Sequence, residues 1–168
     1  MRLRSAGKGV LAALVLMVWA ASAWAGSPGY QGRIAKALDG DSLIVVVGGR
    51  RIEVRLQGID CPEWGQPWGQ EAKRFTAGFV GKPVRLLPRD VDRRGRLVAR
   101  VILPGGKDLG LLLLARGLAW WYARYAIDDR AYARAWWGAV RQGRGLWGDD
   151  SPQVPPWDWR RTHHRRRR

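Results

Sequence analysis

From residue 32 to residue 87 the chain reads mostly as β-strand, and the pattern is clearest between residues 52 and 57. There Ile52, Val54 and Leu56 fall on one face, while Glu53, Arg55 and Gln57 fall on the other, the two-residue period of a half-buried strand. Just upstream, residues 43–47 are β-branched and apolar, and Gly48-Gly49 between the two runs is a strong two-residue hairpin signal. A shorter strand begins at Ile34 and ends at Asp39-Gly40-Asp41. Three meandering strands therefore open the domain. The period then lengthens. Ala72, Phe75, Phe79 and Val80 form the apolar side of a helix predicted over about residues 69–80.

Gly81-Lys82-Pro83 stops that helix and residues 84–87 resume as a strand. Asp92-Arg93-Arg94-Gly95 turns the chain into another strand over residues 97–103, which Pro104-Gly105-Gly106 ends. Asp108 caps a second predicted helix over residues 109–115 that closes at Gly117. Asp128 or Asp129 caps a third, with residues 131–142 as its body. The order is three strands, helix, two strands, two helices. It fits an α+β class dominated by its barrel: a five-stranded Greek-key barrel of the OB type with three packed helices. Beyond Trp147 the composition changes to Asp, Pro, Trp and Arg, and residues 149–168 read as a flexible basic tail.

The first residues belong outside this domain. Arg2, Arg4 and Lys8 precede an apolar run over residues 10–20, and Ala23-Trp24-Ala25 supplies a small-x-small site. Together they predict a signal peptide over residues 1–25, cleavage near Ala25, and an exported protein, periplasmic or secreted. The run is shorter than the roughly 18 apolar residues needed to span a bilayer, so no stable membrane span is expected after cleavage. The domain then covers residues 26–148. Its one cysteine, Cys61, excludes an internal disulfide, so the fold must rest on its own apolar core. Nothing in the pattern demands more than a monomer.

Charge narrows the partners. The chain carries a net +16, a surface that draws polyanions by field and counterion release. The same charge suits an anionic lipid surface. The arginines from Arg160 onward could tether a polyanion or simply be solvated. Both histidines, His163 and His164, lie in that tail. The domain therefore has no serine–histidine or cysteine–histidine nucleophile pair, and one cysteine serves zinc poorly. Any catalysis must come from carboxylates and arginines, with or without a hard cation.

Singly, the acidic motifs are ordinary. Asp39-Gly40-Asp41-Ser42 is turn punctuation, Asp60-Cys61-Pro62-Glu63 is a loop that Pro62 stiffens, and Arg55 and Arg96 are strand and hairpin charges. In order they are far more specific. Residues 34–42 (Ile-Ala-Lys-Ala-Leu-Asp-Gly-Asp-Ser), 55–63 (Arg-Leu-Gln-Gly-Ile-Asp-Cys-Pro-Glu) and 92–97 follow one another, with Arg116-Gly117-Leu118-Ala119 and Gly145-Leu146-Trp147 later. This series resembles the staphylococcal-nuclease family over about residues 30–147.

The resemblance implies a nuclease that hydrolyses phosphodiester bonds of DNA or RNA with Ca²⁺ and leaves 3′-phosphate products. Asp41 and Asp60 would be calcium ligands through their carboxylates, and Cys61 through its backbone carbonyl, where threonine is common in the family. Glu63 would act as general base on the attacking water, and Arg55 and Arg96 would grip the phosphate. Asp92 belongs to the third motif and is expected near the substrate. Tyr125 matches a family tyrosine near the bound nucleotide, whereas Ala123 stands where the family has another. Tyr122 or Trp121 could replace that one by stacking on a base, or could pack in the core, as Trp136 and Trp137 are expected to do.

The chemistry is coherent without the family. A phosphodiester repels nucleophiles, so charge must be neutralised as it accumulates. Hard oxygen ligands suit Ca²⁺, two guanidinium forks bind non-bridging oxygens, and a glutamate can accept a proton without histidine. Two other classes remain compatible with the fold alone: a nucleic-acid-binding OB module that does not cut, and an adhesin for anionic surfaces.

Overall fold

Backbone pairing in the computed structural model, which describes residues 29–148 and 153–164, closes five strands into a barrel. In chain order β1 (Tyr30–Ala37), β2 (Ser42–Val47) and β3 (Arg50–Leu56) form the meander. A two-residue strand β4 (Ile59–Asp60) and helix α1 (Gly69–Ala77) follow, then β5 (Pro83–Val91) and β6 (Leu97–Ile102). Helix α2 (Leu109–Ala115), the short β7 (Trp120–Trp121), α3 (Arg130–Arg141) and α4 (Pro156–His164) complete the described chain. The barrel order is β1-β2-β3-β6-β5, closed by antiparallel pairing of β5 with β1. Strands β3 and β6 run parallel, with Val54 opposite Leu97 and Arg55 opposite Val98. This is the five-stranded OB-type barrel expected from the pattern.

Alternation decides what fills it. Leu43 and Val45 of β2, Val54 and Leu56 of β3, Leu86 of β5 and Val101 of β6 are buried inside. Leu109, Leu113 and Leu114 bring α2 onto the same core, and Tyr132 ties α3 to it. The Tyr132 hydroxyl donates to the carboxylate of Asp108, which also caps α2 by accepting from the Gly110 and Leu111 N–H groups. Burial and the Asp108 charge push the Tyr132 phenol above its ordinary range. Of the two caps left open for α3, Asp129 is the one used: it accepts from Ala131 and Tyr132.

The structure departs from the pattern in several places, among them the longer β1 and β5 and the short β4 and β7. Helix α1 ends at Ala77, not near Val80. The Gly78 N–H is shared between the Arg74 and Phe75 carbonyls, and the chain leaves through successive turns with Val80 exposed. Trp137 is exposed, while Trp136 packs against the core as expected. Finally, there are four α-helices among the described residues. The fourth lies in the stretch expected to be a flexible tail, where Pro156 opens α4 as a first-turn proline can. The predicted signal segment over residues 1–25 and the final arginines lie outside the described residues.

Candidate active site

The site is assembled where β2, β3 and β4 meet. Register does the first part: Ser42 of β2 sits opposite Arg55 of β3, so Asp41, one residue earlier, emerges beside the Arg55 side chain. The turn before it is self-supporting, because Asp39 Oδ1 accepts the Asp41 and Ser42 N–H groups at 2.9 and 2.6 Å. Gly40 lets this turn press into the barrel wall. A Cβ there would lie 2.7 Å from Cys61 Cβ and 2.8 Å from Ala72 Cβ, closer than real methyl groups approach. The buried Thr76 hydroxyl of α1 donates to the Gly40 carbonyl at 2.6 Å and pins it.

Asp60 arrives from the other side. Strand β4 pairs with β7, placing Asp60 opposite Trp120. Asp41 and Asp60 are both nearly inaccessible, at 4% and 1% exposure, which makes unpaired carboxylates there costly. They are not unpaired. Arg55 forms an ion pair with Asp41 Oδ1 through Nη1, and its Nη2 donates to Asp60 Oδ1 at 2.6 Å. One planar guanidinium thus bridges two buried carboxylates. The Cys61 N–H adds a 2.6 Å bond to Asp41 Oδ2, so the loop carrying Asp60 also holds Asp41. The Cys61 thiol is buried against Gly40, and burial pushes its pKa well above the ordinary range.

Glu63 is the exposed member, half-buried at the lip of this cluster. Its backbone N–H donates to Gln66 Oε1 at 3.0 Å. Gly69 allows the loop to fold back here, since a Cβ at that position would meet the Glu63 carbonyl oxygen at 2.2 Å. Arg96 approaches from the β5–β6 hairpin. Asp92 accepts from the Arg94 and Arg96 N–H groups and from Arg96 Nε at 2.7 Å. Burial opposes the charge on Asp92, but these bonds outweigh it and hold its carboxyl below the usual range. Asp92 therefore orients Arg96, whose Nη1 reaches Ser42 Oγ at 3.3 Å, beside Asp41.

The aromatics flank the same region. Trp121 packs on Trp136 and its indole N–H donates to the Ala126 carbonyl. Tyr122 lies face to face with Trp157 of α4, rings 4.9 Å apart and inclined by 12°. Tyr125 is exposed, edge-on to Tyr122. It borders an open groove of about 610 Å³ lined by Gln57, Arg89, Arg100, Arg124 and Asp129 among others. That groove does not include the Asp41–Asp60–Glu63 cluster.

Sequence reasoning missed two residues. Arg160 of α4 donates through Nη2 to Asp60 Oδ2 at 2.7 Å and through Nη1 to Glu63 Oε1 at 2.5 Å and Asp60 Oδ1 at 3.2 Å. Burial works against its charge, yet the bonds to Asp60 and Glu63 raise its pKa further. Gln66 holds the Glu63 N–H and donates to the Val154 carbonyl at 2.5 Å. A signal for the first existed: Pro156-Trp157-Asp158 is a plausible helix start that would have placed Arg160 on a docked element.

No three acidic, histidine or cysteine side chains converge as a ready-made metal cluster among the described residues. The donor set nevertheless suits a hard cation of low protein-ligand count. Asp41 and Asp60 share the Arg55 guanidinium, and Asp60 also pairs with Arg160. Counting Glu63, three carboxylates face the two arginines Arg55 and Arg160, leaving a negative balance. Oxygen donors completed by water suit a hard divalent cation rather than a softer ion.

The five-stranded barrel, with buried carboxylates and arginines in its wall and a glutamate at the lip, places the protein in the OB-fold class. The staphylococcal nuclease homologue family matches residues 53–149. A micrococcal nuclease of Shigella flexneri is 33% identical over 162 residues, 90% of this chain and 91% of its own length. A protein named as an uncharacterized endonuclease of Escherichia coli O157:H7 is 35% identical over 130 residues, covering 77% of this chain and 84% of its own. The staphylococcal-like nuclease CAN1 of Arabidopsis thaliana is 39% identical over 115 residues, 67% of this chain and 34% of its own. The chain belongs to the staphylococcal nuclease family, hydrolases of phosphodiester bonds in nucleic acid.

Proposed function

We propose that this protein is an exported, Ca²⁺-dependent nuclease that cuts DNA or RNA by direct attack of water and leaves 3′-phosphate ends. The observation that carries the reading is the bridge from Arg55 to both Asp41 and Asp60, with Glu63 three residues beyond Asp60. Asp41 and Asp60 would hold the cation, with the Cys61 carbonyl as a further ligand. When bound, the ion supplies Lewis-acid polarisation of a phosphoryl oxygen.

The remaining steps belong to the chain. Glu63 accepts a proton as water attacks phosphorus, the bond to the 5′ oxygen breaks, that oxygen takes a proton from solvent to leave as a hydroxyl, and the 3′ oxygen keeps the phosphate. Negative charge accumulates on the non-bridging oxygens of the five-coordinate phosphorus. Arg55 and Arg96 face that charge, and preorganised guanidinium groups stabilise it without reorganisation. Tyr125 offers its exposed ring to an adjoining base, and Tyr122, stacked on Trp157, supports it edge-on. Export rests on the basic-apolar-small order of residues 1–25.

The test is cleavage of denatured DNA by protein starting at Gly26, with Ca²⁺ and then with excess chelator. Cutting should require the ion. Glu63→Gln should lower kcat by roughly 100- to 10,000-fold while leaving binding of a nucleotide 3′,5′-bisphosphate nearly intact. Binding without cutting in every condition would instead favour the non-catalytic OB module.

A further inference from the structure

We infer that Arg160 is a third arginine of the active site, a positioning residue that α4 delivers to fix the Glu63 carboxylate. The inference rests on the nuclease reading and adds to it a residue outside the barrel. Arg160 is 97 residues from Glu63 in sequence, so only docking of α4 brings them together.

The docking is specific, and it converges on the catalytic loop. Trp157 stacks on Tyr122 and meets Trp120 edge-on at 5.8 Å. Trp120 is the residue paired with Asp60 across β4 and β7. Ahead of α4, the Val154 carbonyl accepts from Gln66, whose other amide atom accepts the Glu63 N–H. Glu63 is therefore held twice by the C-terminal segment: its backbone through Gln66, its side chain through Arg160. Asp158, on the same helix, pairs with Arg161 and leaves Arg160 to the site.

The fork geometry explains why an arginine serves. Nη1 binds Glu63 Oε1 while Nη2 binds Asp60 Oδ2, so one rigid group spans the general base and a cation-holding carboxylate. Glu63 has a long side chain with several rotamers, and its side chain is 38% exposed. Without a partner it would sample orientations that do not face the attacking water. A cation entering at Asp41 and Asp60 competes with Arg160 for the Asp60 oxygens but not for Glu63 Oε1. The opposite role, a plug that keeps the carboxylates from cation and substrate, uses the same contacts and predicts the opposite sign.

Arg160→Ala and Arg160→Lys in the protein starting at Gly26 separate the two. Cleavage of denatured DNA at saturating Ca²⁺, Ca²⁺ affinity by calorimetry and thermal unfolding are measured beside the unsubstituted protein. Arg160→Ala should lower kcat roughly 10- to 100-fold, the scale of a lost charge-assisted hydrogen bond. KM and the unfolding temperature should change little, and Ca²⁺ should bind no more weakly. Arg160→Lys should recover part of the rate, since one ammonium can still reach Glu63. An Arg160→Ala protein that cuts as fast as, or faster than, the original overturns the inference, as does a slow one restored fully by more Ca²⁺. If the unsubstituted protein does not cut, the nuclease reading itself fails, and this inference with it.

Discussion

Arg55 joins two buried aspartates that could not otherwise share the barrel wall. Its side chain is 15% exposed, against 5% for Asp41 and 1% for Asp60, so the three charges are largely withdrawn from water. Breaking such a pair by removing one partner leaves carboxylates uncompensated. A lysine keeps the charge but presents a single ammonium, which cannot bridge two carboxylates and still offer a fork to phosphate. Arg55→Lys should therefore cut denatured DNA at least roughly 100-fold more slowly at saturating Ca²⁺, as read from initial rates. Normal turnover in that variant would remove Arg55 from the mechanism. The grouping of Asp41, Arg55, Asp60 and Glu63 was legible as a spaced series of residue types because each sits on, or within a few residues of, β2, β3 or β4. Asp92 was legible only as part of a motif. Its hydrogen bonds to the Arg96 side chain and to the turn give it an orienting function that spacing cannot express.

At the scale of elements, the site depends on how closely the 39–42 turn approaches α1 and the 60–63 loop. Gly40 occupies the narrowest point, with Cys61 Cβ, Cys61 Sγ and Ala72 Cβ all within 2.8 Å of where a Cβ would stand. None of these is the far end of a flexible chain, so the turn or the loop must move. Gly40→Ala should destabilise the fold by about 1–3 kcal/mol, the usual cost of overpacking. It should also weaken Ca²⁺ binding, because Asp41 would shift relative to Asp60. Denaturant unfolding and calorimetry on one preparation check both, and an unchanged midpoint would show that the wall yields. The strands around this turn were readable because period-two alternation and the Gly48-Gly49 hairpin are local signals. Helix α4 was not. Its nine residues are too few to hold a helix alone, and what holds it is Trp157 against Tyr122 and Trp120, contacts between segments far apart in sequence. Composition alone therefore read a docked element as a tail.

Over the whole molecule, the net charge of +16 gives substrate binding a large electrostatic part, and the fold distributes it unevenly. The cluster of Asp41, Asp60 and Glu63 is acidic and pairs with Arg55 and Arg160. Arg89 and Arg124 instead line the open groove beside the exposed Tyr125. A strand whose base stacks on Tyr125 would run its phosphates along that groove, where each guanidinium releases a condensed counterion. Binding of single-stranded DNA should therefore weaken linearly on a plot of log affinity against log salt. Joint substitution of Arg89 and Arg124 by alanine should reduce the slope by about 1.4, near 0.7 for each lost contact on a single strand. Titrations of a labelled oligonucleotide of a dozen or more nucleotides, with Ca²⁺ and with catalysis blocked by Glu63→Gln, would measure it. A dinucleotide confined to the catalytic cluster should bind the substituted protein as before. If the slope is unchanged, the phosphates take another path, and the groove plays no part in holding the strand.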